Sequence, residues 1–254
     1  YPDGARLENY ALYSLHTFDW RPCTLTAGAR WNAYVIRVSE AALGEGETLL
    51  RPSALVGNLA VMRHIAPQIN LFASVNTGFR APNIDDLGTL GIVDFRFEVP
   101  NYNLRPEKST QIQVGGKWRS EGMEAELFVY RNELRDLITR IKQDTLTQQG
   151  YPLYQKENVE KAFIQGLETN WTYHIGKNWT AQGSLTYTYG QNRTQNEPVR
   201  RIPPIFGRLV IDFEPTKHWS IGAEWLGADK QDRLAKGDTE DNRIPQGGTP
   251  GWQV

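Results

Sequence analysis

Ten stretches of this chain alternate apolar and polar side chains residue by residue, and the connections between them alternate just as regularly between short and long. The strands this predicts lie near residues 6–18, 24–36, 55–64, 69–80, 108–118, 123–141, 159–173, 179–189, 205–213 and 219–228, with another beginning at Trp252. Short turns fall at Asp19–Cys23, Ile65–Gln68, Arg119–Gly122, His174–Asn178 and Glu214–His218. Long connections cover Arg37–Ala54, Ala81–Glu107, Ile141–Asn158, Gly190–Pro204 and Ala228–Gly251. Successive side chains on a strand point to opposite faces, so a period of two means sheet. The clearest case runs from Ile69 to Trp118. There Ile69, Leu71, Ala73, Val75 and Phe79 share one face, until Pro82, which has no N–H to give, ends the pairing. Regular alternation of connection length puts every short turn at one end of an antiparallel, up-and-down sheet.

The two faces differ in chemistry. One carries Ala11, Tyr13, Leu15; Leu25, Ala27, Ala29, Trp31; Leu167, Trp171, Tyr173; Leu185, Tyr187, Tyr189; Leu209, Ile211, Phe213; and Ile221, Ala223, Trp225. The other carries Thr24, Thr26, Arg30, Glu124, Glu126, Glu168, Arg208, Asp212 and Glu224. Packed as the core of a soluble sandwich, those charges would be buried without water, at several kcal/mol each. A wide barrel with a hydrated lumen accepts them, and its apolar face then meets lipid. Short turns at one end and long loops at the other are also what a membrane-spanning barrel shows. Trp20, Trp118, Tyr173, Trp179, Phe213 and Trp219 all lie in or beside short turns, as expected of an aromatic girdle at a headgroup boundary.

Composition narrows the field further. A net charge of −1 suggests no nucleic-acid footprint, and no run of eighteen apolar residues is present to make a membrane-spanning helix. The single Cys23 excludes an internal disulfide framework and reads as a small apolar residue near a turn. Tyr1 stands a few residues before the first strand with no signal peptide ahead of it, so a processed or truncated chain is expected.

The segment GFRAPN (Gly78–Asn83) followed by VPNYNLRPEKS (Val99–Ser109) resembles the paired motifs of TonB-dependent outer-membrane receptors. The first box matches at Phe79, Arg80, Ala81 and Pro82. The second matches at Asn101, Asn103, Leu104, Pro106 and Glu107, with Tyr102 where the family has proline. AFIQGLETNW (Ala162–Trp171), RRIPPIFGRL (Arg200–Leu209) and GGTPGW (Gly247–Trp252) also resemble that family's barrel strands. The resemblance implies an all-β, antiparallel, up-and-down transmembrane β-barrel in the bacterial outer membrane. Complete barrels of this kind have about 22 strands. Residues 1–254 would be the C-terminal part of the barrel, half to two-fifths of it, without the N-terminal plug domain and the last strands. The implied function is energy-coupled uptake of a bulky extracellular nutrient, an iron chelate and foremost a ferric siderophore. Haem or cobalamin are the alternatives within the family. The implied partners are that nutrient, outer-membrane lipid and an inner-membrane energy-coupling complex acting through the plug. A passive porin and a soluble β-rich binding module remain as rival classes.

Candidate ligand contacts lie in the long connections: Tyr102 and Arg105, then Tyr151 and Tyr154, then Arg193, Arg200 and Arg201. Arginine forks suit carboxylate or phosphate groups, and tyrosine faces suit flat aromatic ligands. Arg80 falls on the polar face and is expected to pair with a carboxylate, which is a structural role. Asp85 and Asp86 form an acidic pair of the kind that attracts a hard cation. His16, His64, His174 and His218 all lie at or near short turns, and none lies between the two boxes, where the family's haem receptors carry an iron-ligating histidine. No Ser–His arrangement is therefore available at the long-loop end, and neither catalytic residues nor a resident cofactor or metal is expected.

Overall fold

The computed structural model describes residues 4–39, 47–93, 96–146, 150–239, 241 and 243–254. Residues 40–46, 94–95, 147–149, 240 and 242, in four of the expected long connections, lie outside the described residues. One sheet of 15 strands forms the molecule. Its order in the chain is β1 (Arg6–Trp20), β2 (Cys23–Ser39), β3 (Glu47–Leu50), β4 (Ser53–Ala66), β5 (Ile69–Arg80), α1 (Ile84–Gly88), β6 (Gly91–Val93), β7 (Arg96–Val99), β8 (Glu107–Arg119), β9 (Met123–Leu146), β10 (Pro152–Ile175), β11 (Trp179–Asn192), β12 (Glu197–Pro198), β13 (Phe206–Thr216), β14 (Trp219–Ala228), α2 (Lys236–Thr239) and β15 (Trp252–Gln253). The main path runs β1-β2-β4-β5-β8-β9-β10-β11-β13-β14-β15, each strand antiparallel to the next, and does not return to β1. These are the ten predicted strands and the predicted eleventh start.

The sheet is a single layer. Its accessible surface is 16985 Å² for 28.9 kDa, against about 11,000 Å² expected of a compact soluble monomer of that mass. Among the described residues, the long strands make their main contacts with their hydrogen-bonded neighbours, and no second sheet covers the apolar face. That excludes the sandwich. Instead Leu59, Leu71, Ile112, Val114, Leu127, Leu185, Ile221 and Trp225 all stand exposed. Trp118, Tyr173, Trp179 and Trp219 stand exposed beside the short turns, Trp179 stacked on Phe213 at 4.3 Å. In water such a surface would be severely unfavourable; against acyl chains it is the stable arrangement.

Register confirms the face assignment from β2 to β14 and corrects it on β1. Tyr13 lies opposite Arg30, Leu15 opposite Gly28 and Ala11 opposite Asn32, so these three share the polar, inner face. The outward residues of β1 are Leu12, Ser14, His16 and Phe18, opposite Trp31, Ala29, Ala27 and Leu25. The strand is apolar on both faces, so alternation alone does not orient it. The hairpin pairing of Trp20 with Cys23 does, because a slip of one residue exchanges the faces of a whole strand.

The long connections are more ordered than their composition suggests. β9 and β10 run on to Leu146 and Pro152, prolonging the hairpin well into the connection expected at Ile141–Asn158. β2 extends to Ser39 and pairs with β3, Ile36 opposite Leu50. Between the two motif boxes, residues 81–106 form α1 and the β6–β7 hairpin, and β7 adds in parallel to the upper part of β10. The small buried core sits there, made of Ile36, Val38, Leu87 and Leu104, with Tyr34, Leu50, Ile84, Tyr102 and Ile138 packed around it.

Candidate functional site: the lumenal wall and its outer rim

The two motif boxes meet through one arginine. Arg80 ends β5 directly opposite Glu107, the first residue of β8. Its Nε donates to Glu107 Oε2 at 2.6 Å and one terminal nitrogen to Glu107 Oε1 at 2.9 Å, a two-toothed clasp, while the other donates to Asp86 Oδ2 at 2.5 Å. Glu107 Oε1 also accepts the backbone N–H of Ile138 at 2.8 Å. Asp86 in turn closes a reciprocal cap with Asn83 at the start of α1. The feet of the 81–106 segment are thereby held together by charge-assisted bonds.

A second set fixes the segment to β10. Lys156, whose side chain is only 8% exposed, donates from Nζ to Asp85 Oδ2 at 2.9 Å and to the Asp85 carbonyl at 2.8 Å. Burial pushes the Asp85 carboxyl up, but the bonds from Lys156 and Thr89 outweigh it and hold the group below the usual aspartate range. The acidic pair thus holds cations of the chain itself, Lys156 on Asp85 and Arg80 on Asp86. Asn101 donates its side-chain amide to the Lys156 carbonyl at 2.8 Å and accepts the N–H of Asn103 at 3.0 Å. Leu104 is buried in the core. Asn158 binds both the N–H and the carbonyl of Arg105, and the carbonyl of Asp136. Arg140 pairs with the buried Glu98.

The expected ligand residues separate into three places. Tyr102, Arg105 and Tyr154 gather where the motif segment meets β10. Tyr102 packs on the core, Arg105 reaches Asp136 at 3.2 Å with its side chain 68% exposed, and the Arg96 guanidinium lies 5.3 Å over the Tyr154 ring. Tyr151 immediately precedes β10. Arg200 and Arg201 lie in the β12–β13 connection, where Arg200 bonds the buried Asp238 at 2.7 Å and so joins two long connections. Arg193 goes elsewhere: it lies over the Phe163 ring, on the same side of the sheet as the lipid-facing residues. Lys156, Asn158 and Asp136, which organise the rim, carry no signal at the level of sequence pattern, because they lie in or near a stretch that reads as a connection.

Below the rim the inner wall is polar down to the short turns. Lys117 bonds Glu126 at 2.8 Å, Asn170 bonds Glu126 at 3.1 Å, Arg119 bonds Glu124 at 3.0 Å, and Arg208 bonds Glu224. Asn70, Lys117, Glu124, Glu126, Asn170 and Arg208 line part of an open concavity of about 650 Å³. Among the described residues, no group of three or more His, Cys, Asp or Glu side chains is placed to hold a metal ion.

The whole chain, residues 1–254, matches the family model of the TonB dependent receptor-like β-barrel. The chain belongs to that family. It is accordingly a protein of the bacterial outer membrane, and the inner wall faces the barrel lumen. Among relatives, it is 24% identical over 180 residues to a hemoglobin-haptoglobin utilization protein B of Neisseria meningitidis, covering 61% of this chain and 22% of that protein. It is 23% identical over 243 residues to the ferric enterobactin receptor of Pseudomonas aeruginosa, covering 87% and 31%. Among solved structures, the copper transporter OprC superposes with a TM-score of 0.81 at 22% identity, over 98% of this chain and 38% of that one. The unliganded ferric citrate transporter FecA superposes at 0.73 with 18% identity, over 98% and 37%. At such identities the structures establish the fold and nothing finer. The chain spans about a fifth to a third of the length of these curated relatives.

Proposed function

We propose that this chain is a C-terminal portion of the barrel of a receptor that takes up a ferric siderophore, with energy delivered through a separate plug domain. The observation that supports the reading most is the division of the inner surface. The lumenal wall is charged and hydrated, while the outer rim carries a braced segment, 81–106, offering a cation at Arg105 with aromatic rings beside it. A charged wall accommodates a second polar domain, and a braced rim suits capture of a bulky anionic chelate by arginine forks and tyrosine faces. Arg105, Tyr151, Arg200 and Arg201 are the contacts we favour. The relative named as a ferric enterobactin receptor supports an iron chelate as the cargo, whereas the copper transporter OprC is named for another metal. Haem is the second reading, favoured by the Neisseria relative; against it, all four histidines sit at or near short turns, far from the rim. The described rim residues offer cationic forks and aromatic faces, which suit binding and transport.

The test uses the complete receptor in its own membrane. Cells lacking it, grown under iron limitation, are expected to lose uptake of radioactive iron supplied as a siderophore, and to regain it on complementation. The purified receptor should show saturable tryptophan quenching with that chelate. Uptake restricted to haem or to cobalamin, with no response to any ferric siderophore, would overturn the assignment.

A further inference from the structure

The outward face changes character abruptly above its apolar band. Along β9 the outward residues run Ala125, Leu127, Val129 and then Arg131, Glu133, Arg135. Arg131 lies eight residues beyond the strand's start at Met123. At about 3.3 Å per residue and a tilt of about 40° that is roughly 20 Å above the short-turn boundary, near the top of an apolar band about 25 Å tall. The charges therefore stand on the lipid side, at the level of the outer leaflet's headgroups.

Three guanidinium groups from three separate segments lie on a two-ring platform there. Phe163 on β10 and Tyr189 on β11 stack with centroids 6.0 Å apart. Arg131 lies 4.0 Å and Arg193 4.9 Å from the Phe163 centroid, and Arg233 lies 3.8 Å from that of Tyr189. Glu133 accepts from Arg131 at 2.8 Å and from Arg193 at 3.1 Å, while Gln165 and Gln191 hold Arg131 and Arg233 at 2.6 and 3.1 Å. One row beyond Glu133, Lys108 stands directly opposite Arg135, both exposed, and neither has an ion-pair partner among the described residues. Like charges facing each other across a ladder are destabilising. Asp232 lies near Arg233 but is paired with Lys230 at 2.6 Å, which leaves Glu133 as the carboxylate bound directly to this group of five cations. Beside hydrocarbon, that excess of positive charge calls for anions.

We propose that this platform seats the phosphorylated sugar headgroup of an outer-leaflet glycolipid of the lipopolysaccharide class. Stacking spreads the guanidinium planes and leaves N–H donors free, the arrangement that grips phosphate oxygens two at a time. The adjoining apolar rows at Ile112, Val129, Leu167 and Tyr187 receive the acyl chains. The short-turn end instead presents the tryptophan girdle, as expected if the two leaflets differ in headgroup chemistry. Nothing in this depends on which nutrient the receptor carries.

The complete receptor, purified in mild detergent and stripped of co-purified lipid, would be titrated by native mass spectrometry with bis-phosphorylated lipid A. Enzymatically dephosphorylated lipid A and inorganic pyrophosphate would be titrated in parallel. One tightly held lipid A is expected, weakened about tenfold for each arginine fork removed. R131Q/R193Q/R233Q should therefore lose about a thousandfold, and dephosphorylation a comparable amount, while R119Q at the short-turn end changes nothing. R193Q/R233Q touches no strand, so its expected loss cannot be attributed to failed barrel assembly; retained heat-modifiable mobility on a gel verifies this. Equal binding by the wild type and R193Q/R233Q, equal binding of the dephosphorylated lipid, or a site that pyrophosphate fills and lipid A does not, would each overturn the proposal.

Discussion

Replacing Arg80 with alanine is the sharpest perturbation the rim offers. The change deletes three charge-assisted bonds, two to Glu107 and one to Asp86, and leaves those carboxylates facing each other with side chains 18% and 11% exposed. A bond of this kind contributes about 1.5–3 kcal/mol when buried. Arg80 is itself 45% exposed, so solvent screening reduces the total to about 2 kcal/mol. The penalty should fall on the 81–106 segment, because the ladder below Arg80 is held by its own backbone bonds and by lipid. Native-state hydrogen exchange on the complete receptor reads this directly. The amides of Leu87, which donates to Asn83, and of Asn101, which donates to Leu87, should open roughly 30-fold faster, each 1.36 kcal/mol being a factor of ten. The amide of Val114 in β8 should change less than about twofold by the same reasoning. Arg80→Lys keeps the charge without the fork and should fall between the two. Unchanged exchange at Leu87 and Asn101, or equal acceleration at Val114, would refute the view of Arg80 as a local clasp.

Other outcomes follow from the same geometry. Leu87→Ala, at a side chain with no exposed surface, should loosen the segment by about 2–5 kcal/mol, measured as protease sensitivity between residues 82 and 105. Because the Asp85 carboxyl is held below its unfolded value, the Lys156 link contributes fully above the ordinary range near pH 4 and is lost as pH falls through the lowered value. Exchange in α1, corrected for intrinsic rates, should therefore quicken only in acid, and Lys156→Met should weaken that pH dependence, leaving the part carried by Thr89. A Cβ on Gly115 meets the Phe128 ring and the Leu127 carbonyl, so Gly115→Val should lower the temperature of barrel unfolding on a gel, at a cost of about 1–3 kcal/mol. Brominated lipids should quench the girdle tryptophans Trp20, Trp118 and Trp219 more strongly when the bromine lies near the headgroup than when it lies at the acyl-chain end.

Much of the sheet was legible in the sequence, and the reason is physical. Wherever one face meets lipid and the other water, as on β5 with Leu71 against Asn70, composition reports the face and a register slip would be ruinous. β1 escaped this logic because Leu12 and Phe18 face one way while Tyr13 and Leu15 face the other. The rim was legible only in part. Asp85, Arg105 and Glu107 fell within or beside a motif, but their partners Lys156, Asn158 and Ile138 lie 71, 53 and 31 residues away. Such pairings come from the assembled sheet, in which β7 adds to β10 and so brings the segment beside it, and no local pattern encodes them. Arg193 shows the same gap from the other side: its position in a connection said nothing about which surface the side chain would reach.

The fastening of residues 81–106 at both feet and along β10 also bears on recognition at the mouth of the barrel. Ordering a free backbone costs about 1–2 kcal/mol per residue, and a loose flap of that length would return much of any contact energy as lost freedom. A shelf already in place meets its visitor without that loss. Under the uptake role we propose, selectivity at the entrance would then rest on shape and charge rather than on the ordering of this segment.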